Sequence, residues 1–574
     1  MNMYYKFFVV FLVIVVAGCD YMDTKIDTGV TRENLESDFA RIERLGYSPY
    51  TFLAPCNNGF NRLDGNIAAV ITDEAVQTAS LTNTQYFTNG SWNAFVNPLN
   101  VYANHYGGIR AANFFLDYST EYKKLLSVNR DTVSDRSRSY NQDVEKIQWM
   151  RAEANVLIAW LYFDLIKRYG GVPIVDRVMD INDDLDLPRA SFNEVMEYIV
   201  SKIDQNWDKL QANWKARDAL SDGKLTMGAA LAIKSRALLY AASPLYNETG
   251  DVQKWKDAAK AANDVIQLKA RTWANVGGDL GTTTITNNPA YSLSNNYRTL
   301  FQEGNSVNDN EVIWAFRLGA TNDMEVNNYP IGTPGGKSGV TPSHNLVEAY
   351  EKLSDWDEVY PYEKRDPRMD ASIVTNNSNW NVRKIDISQG GQDSQDSQNA
   401  SRTGYYLKKF LVDNLDIEHD ETKNRNWIVF RYAEILLNYA EAMNEAYGPD
   451  DDPEGYGMTA RQAVNLVRGR TGVGMPNVIA GDQAEMRDKI KHERRIELAF
   501  EDHRYWDLRR WKDGAELSKP IKGVRATKYN DVFLYTESVV ENRVFETPKM
   551  YFFPIPDWEI RKSKGIMVQN PGWE

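Results

Sequence analysis

Cysteine, histidine and positive charge are all scarce in this chain, and each shortage removes a class of function. Its 574 residues include two cysteines, Cys19 and Cys56, and five histidines. Two thiols cannot staple a disulfide-rich scaffold, and they cannot close a zinc site alone. His492 and His503 are too far apart to suggest a metal pair, and His105 has no cysteine or histidine neighbour, so it is read as structural. Asp393 and Asp396 alone do not support a calcium site; no metal and no cofactor is expected. A net charge of −13 argues against general nucleic-acid binding, which needs a positive field along the phosphate backbone. Paired catalytic carboxylates are missing as well. Glu153 and Asp164 stand eleven residues apart on one helical run, about 16 Å along its axis, whereas glycosidase pairs need about 5–5.5 Å or 6.5–9.5 Å. Asp73 and Glu74 read as a helix cap or a solvated pair.

Apolar and aromatic surface, by contrast, is plentiful. The chain is 43% hydrophobic and carries 15 Trp, 32 Tyr and 21 Phe. That is enough for a large core, with rings left over to face a ligand. At the start, Lys6 precedes the twelve-residue apolar run Phe7–Gly18. As a helix it would span about 18 Å, against roughly 30 Å of membrane hydrocarbon. Residues 1–18 are therefore expected to be a signal peptide, not a membrane span. Val16-Ala17-Gly18-Cys19 resembles the bacterial lipoprotein box, which implies lipid attachment at Cys19 and explains why Cys56 needs no disulfide partner. Asp20 and Asp23 resemble the acidic export tags of surface lipoproteins in Bacteroidetes.

Helical periodicity then dominates two regions, 142–269 and 427–511. Val144, Ile147, Met150, Ala154, Leu157, Leu161 and Leu165 recur at 3.6-residue spacing, which predicts a helix over 142–169 stopped by Gly170 to Pro173. Ser191 is a plausible N-cap for a helix reaching about residue 210. Leu225–Leu245 and Trp255–Ile266 read as an antiparallel pair, and Thr459–Arg470 as a shorter helix. Trp427–Gly448 reads as a buried helix ended by Gly448 and Pro449, with Glu434, Glu441 and Glu445 on its more polar side. Ala484–Trp511 reads as one charged helical stretch whose polar stripe joins buried bonds to its neighbours. Long helices with short joins imply hairpins and stacked repeats.

Two other regions, 47–113 and 270–425, are rich in loop residues, with Glu311–Phe316 a strand or buried edge. Loops on a rigid scaffold are where ligands are usually met. A carbohydrate site needs aromatic faces for sugar rings and amides for hydroxyls. Tyr86, Trp92 and Asn93 in the first region, and Trp273, Tyr291 and Tyr297 in the second, are the candidate ligand contacts, with Trp380 beside them. No residue is assigned a catalytic role.

Five features together, in this order, resemble the SusD/RagB family of surface nutrient-binding lipoproteins of Bacteroidetes. They are the lipoprotein start, YFDLIKRYGGVP at 162–173, RYAEILLNYAEAMNE at 431–445, HERRIELAFEDHRYWDLRRW at 492–511, and FFPIPDWEI with QNPGW at the end. The resemblance spans Cys19 to Glu574. It implies an all-α body of tetratricopeptide-like helical pairs with a loop-rich, mixed second subregion. It also implies an outer-membrane, lipid-anchored position facing the cell exterior, and a SusC-like TonB-dependent transporter as partner. On this reading the protein is not an enzyme: it captures an oligosaccharide or polysaccharide and presents it for import. A surface glycoside hydrolase and a peptide-binding import or structural adaptor are the alternatives.

Overall fold

The computed structural model describes residues 39–574, apart from 81, 129, 135–136, 181, 184–185, 213–222, 275–281, 303–307 and 531. The expected signal peptide and Cys19 lie outside the described residues. The long helices form one packed series. These are α1 (Tyr102–Tyr118), α2 (Arg138–Tyr169), α3 (Phe192–Asp204), α4 (Met227–Ala242) and α5 (Val252–Ile266) in the first half. After the loop-rich segment come α6 (Tyr432–Tyr447), α7 (Ala460–Arg468), α8 (Gln483–Glu497) and α9 (Arg504–Arg510). Helix α1 packs on α2, α2 on α3, α4 on α5, α5 on α6, and α6 on α7 and α8. This is the expected helical-pair scaffold. Helices α4 and α6 are its middle, since most residues of each are buried.

Local chemistry sets the ends. Ser191 and Glu194 form a reciprocal capping box at the start of α3, as Thr459 and Gln462 do for α7. Helix α2 stops at Gly170, whose φ of 71° suits a residue without Cβ. The strands pair only in twos among the described residues. Three of these pairs are long antiparallel ribbons. They join β1 (Lys269–Ala274) with β2 (Thr282–Pro289), β3 (Val312–Thr321) with β4 (Lys423–Arg431), and β5 (Ile521–Tyr529) with β6 (Val532–Glu541).

Three expectations need correction. Trp427–Arg431 is strand β4, paired with β3, and the helix begins only at Tyr432. The stretch 484–511 is two helices, broken at residues 498–503. The break places Phe500 and Asp502 at φ 68° and 63°, a region that disfavours bulky side chains. Distant partners hold it there. Glu74 accepts the Phe500 N–H, while Asp502 pairs with Arg62 at 2.6 Å and accepts the Ala68 N–H. Asp73 and Glu74 are therefore neither a cap nor solvated. Both are buried, and Asp73 is held by Arg495 and Arg504 at 2.8 Å.

The charged stripe of 492–511 is turned inward, where it meets charges from the rest of the chain. Arg431 reaches Glu311, Glu497 and Glu501 at 2.8, 2.6 and 2.7 Å. Arg470 bridges Glu311 and Glu497, Arg368 bridges Asp366, Glu493 and Glu497, and Lys409 meets Glu501 at 2.6 Å. Burial alone would raise the Glu501 carboxyl, but Arg431 and Lys409 outweigh it and hold it at about 2. The glutamates of α6 are similarly matched: Glu434 with Arg236, Glu441 with Arg510 and Glu445 with Arg487.

Removing one member leaves the others buried and uncompensated. Arg431→Met is expected to cost about 3–5 kcal/mol in urea unfolding; a loss under 1 kcal/mol would show that the network is not a structural hub. A depressed carboxyl stabilises the fold fully above its unfolded value, near 4.5 for Glu501, and loses that contribution as pH falls towards about 2. Acid titration of Glu501→Gln should show a shallower stability loss over that interval than the wild type.

Candidate functional site

Residues 89–101 form the loop before α1. Asn93 organises it: its Oδ1 accepts the N–H groups of Phe95 and Val96 at 2.9 and 3.0 Å, and its Nδ2 donates to the Ser91 carbonyl. This side-chain turn sends neighbouring rings in opposite directions. Trp92 goes inward, only 2% exposed, against Phe87, Phe553 and Trp573 at centroid distances of 5.3, 4.9 and 4.7 Å. Phe95 goes outward and is 72% exposed.

The C-terminal segment completes the place where Phe95 emerges. Trp573 donates from Nε1 to the Lys549 and Phe552 carbonyls, and Asn570 donates to the Tyr169 and Phe553 carbonyls. These bonds dock the end of the chain on α2. The short helix α10 (Asp557–Lys562) is then fastened to the loop by the Asp557 N–H, which donates to the Ala94 carbonyl at 3.1 Å. Between loop and helix lies a cleft of about 190 Å³ with Phe95, Trp558 and two prolines as apolar walls and Asn97, Asn100 and Asp557 as polar groups. Trp558 is 38% exposed. The buried Nδ2 of Asn97 has no hydrogen-bond partner among the described residues, while its Oδ1 accepts the Leu99 N–H. Arg561 lies over Phe95 and Lys562 over Trp558, at 5.8 and 4.4 Å from the ring centroids, contacts that orient both rings. Such a cleft can stack a ring between apolar walls with polar groups beside it.

The residues expected from sequence are dispersed. Trp92, Tyr297 and Trp380 are core residues and offer no open ring face, which corrects their reading as ligand contacts. Tyr297 donates to the Glu497 carbonyl and accepts from Lys409, inside the buried charge network. Trp380 packs edge-on against Tyr329. Asn93 is exposed, but its amide is engaged by its own loop. Tyr86 is half-buried against the core, and its carbonyl accepts the Trp92 N–H. Tyr291 lines a separate cleft of about 270 Å³ beside Thr226 and Trp314, and burial pushes its hydroxyl up to about 12. A Cβ on Gly228 would come within 1.9 Å of that hydroxyl, so the glycine is what admits the ring. The Trp273 backbone is in β1, paired with Thr283, and its side chain lies outside the described part.

Sequence reasoning missed Phe95 and Trp558. The signal for Trp558 was its place in FFPIPDWEI, between prolines and a new helix. Nothing in the sequence separates Phe95 from Trp92.

One cluster has metal-like spacing: the ligand atoms of Cys56, His105 and Asp164 lie within 4.8 Å of one another. Its chemistry argues against a metal. Asp164 is already held by His105, Lys167 and Arg168 at 2.6, 2.5 and 2.5 Å. Burial pushes the Cys56 thiol up to about 12, so it stays protonated. His105 is thus part of a buried charge network, as a structural histidine should be.

Two family profiles match the chain: "SusD family" over residues 301–573, and "Starch-binding associating with outer membrane" over residues 20–239. SusD-like protein P2 of Formosa agariphila is 25% identical over 443 residues, covering 75% of this chain and 76% of the relative. Among solved structures, a SusD-like protein from Bacteroides fragilis superposes with a TM-score of 0.73 at 25% identity, covering 94% of this chain and 98% of that one. A SusD-like carbohydrate binding protein from the same species gives 0.69 at 23% identity, covering 93% and 99%. Proteins of this family are outer-membrane lipoproteins that bind and do not catalyse. Among the described residues no helix is long and apolar enough to cross a membrane. The chain belongs to the SusD/RagB family, the SusD-like surface glycan-binding proteins that work with a SusC-type transporter.

Proposed function

We propose that the protein captures an oligosaccharide with one ring seated in the Phe95–Trp558 cleft and passes the chain to its SusC-like TonB-dependent transporter. The observation that carries this placement is the convergence of two exposed aromatic rings in one cleft with the polar groups Asn97, Asn100 and Asp557. At about 190 Å³ it is smaller than the 300–1,000 Å³ typical of whole-ligand pockets. It suits one sugar ring of a longer chain that continues over the surface. The rings supply stacking area, and Asn97, Asn100 and Asp557 line the polar side. Selection then depends on ring shape and hydroxyl placement. The SusD-like carbohydrate binding protein from Bacteroides fragilis, which shares this fold, supports sugar as the ligand class.

Phe95→Ala and Trp558→Ala should each weaken oligosaccharide binding by about 1–3 kcal/mol, by analogy with aromatic anchors elsewhere, and leave the melting temperature nearly unchanged. Isothermal calorimetry against a glycan panel reads the first, and differential scanning calorimetry the second. Unchanged affinity in both variants would remove the cleft from the binding surface. Trp92→Ala should show the opposite pattern. It opens a hole in the aromatic cluster and costs about 3–5 kcal/mol of stability, while folded protein keeps its affinity. Binding to peptides but to no glycan would sink the sugar assignment itself.

A further inference from the structure

A second, interior cavity lies where the C-terminal turn of α2, the loop after Cys56 and the break between α8 and α9 converge. It measures about 40 Å³, room for one small ion or a little water. At neutral pH its charged lining is four cations, Arg62, Lys167, Arg168 and Arg236, against three carboxylates, Asp164, Glu501 and Asp502. The remaining titratable groups are neutral: burial pushes the Cys56 thiol up to about 12 and His503 down to about 4, and it lowers His105 beside Asp164.

Most of these charges are matched. Arg62 pairs with Asp502 and Arg236 with Glu434, both at 2.6 Å, and Glu501 belongs to Arg431 and Lys409. Lys167 and Arg168 are different. They share the single carboxylate of Asp164, each at 2.5 Å. On their other side both stack on Trp506, at 4.6 and 4.9 Å. Asp164 alone therefore faces two cations, the buried Arg168 and the half-buried Lys167, a local imbalance that a further counter-charge would relieve. A second, independent sign is the buried Arg168 Nε, which has no hydrogen-bond partner among the described residues. Buried orphan donors of this kind are a recognised mark of a bound water or ion.

We propose that this cavity binds a monovalent inorganic anion of halide size, held by Arg168 and Lys167. Water would satisfy the orphan donor and leave the imbalance. A divalent cation would meet two positive groups, despite the metal-like spacing of Cys56, His105 and Asp164. The anion supplies both missing elements, a negative charge and an acceptor. Lys167 fits this account: burial brings it down to about 8, with Asp164 opposing and Arg168 adding to the fall, and a bound anion keeps it protonated. The ion ties Lys167 to Arg168 on the last turn of α2 and so acts as a structural clamp, separate from the glycan cleft.

The test uses the mature chain crystallised in bromide, with diffraction data at the bromine absorption edge. An anomalous peak at hydrogen-bonding distance from Arg168 and Lys167 is expected. A cavity without a peak at saturating bromide overturns the proposal. In solution, replacing gluconate by chloride at fixed ionic strength should raise the melting temperature of the wild type and not that of Lys167→Met, which removes one of the two cations. A wild-type melting temperature indifferent to chloride means binding at crystal concentration only and defeats the clamp. So does a Lys167→Met variant that keeps both the peak and the chloride effect. The wild-type measurements decide alone if the variant does not fold.

Discussion

The guanidinium of Arg431 is the joint on which the two halves of the molecule meet. It stands at the mouth of α6 and binds Glu311 from the loop-rich half, and Glu497 and Glu501 from the C-terminal helices. Glu497 and Glu501 are four apart, a spacing at which like charges repel on a helix. Here Arg431 meets both of them, and the chain leaves the helix between them. A buried network of this kind adds little net stability over apolar packing, but it tolerates no missing member. Arg368, Lys409 and Arg470 reach it from three other segments, so the network ties those segments to the C-terminal helices.

That constraint reaches the binding side through the chain end. The break at 498–503 sets the direction of α9. Arg509 on α9 then accepts no freedom of its own: it is buried, donates to the Tyr551 carbonyl at 2.8 Å and lies over Phe553. The docked terminal segment in turn presents Trp558 beside Phe95. Trp92 fills the core beneath this assembly, packed against Phe553 and Trp573. The geometry of the proposed cleft thus rests on residues that stand behind it, Arg509 first among them.

How much of this was legible in the sequence follows from how local each cause is. The helices of 142–269 were readable because 3.6-residue periodicity and end caps are local signals. Strand β4 was missed because Trp427–Phe430 is a continuous apolar run, which fits a buried strand and a buried helix equally. The break in 484–511 could not be seen, because its causes, Arg62 and Glu74, lie more than four hundred residues away in the chain. In the aromatic loop, the expected ring Trp92 is buried and Phe95 is the exposed one. Trp92 and Phe95 are three residues apart, and only the Asn93 turn and the docking of the C-terminus decide which one faces solvent. The amide read as a hydroxyl partner is the one that makes that turn.

The electrostatics of the cleft limit what it can select. Its acidic groups have local partners, Asp557 with Arg561 at 2.6 Å and Glu559 with Lys562 at 3.9 Å, so no strong field of either sign is left to draw in a charged ligand. Exposed pairs of this kind are weakened further by salt. The chain's net charge of −13 is therefore a property of its surface and not of its cleft. Recognition at the proposed Phe95–Trp558 cleft therefore rests on ring stacking and on directed hydrogen bonds. Neither depends on ionic strength, which suits a protein that meets its ligand outside the cell. It also separates the two kinds of charge in this molecule: those inside define the fold, and those outside leave the cleft neutral.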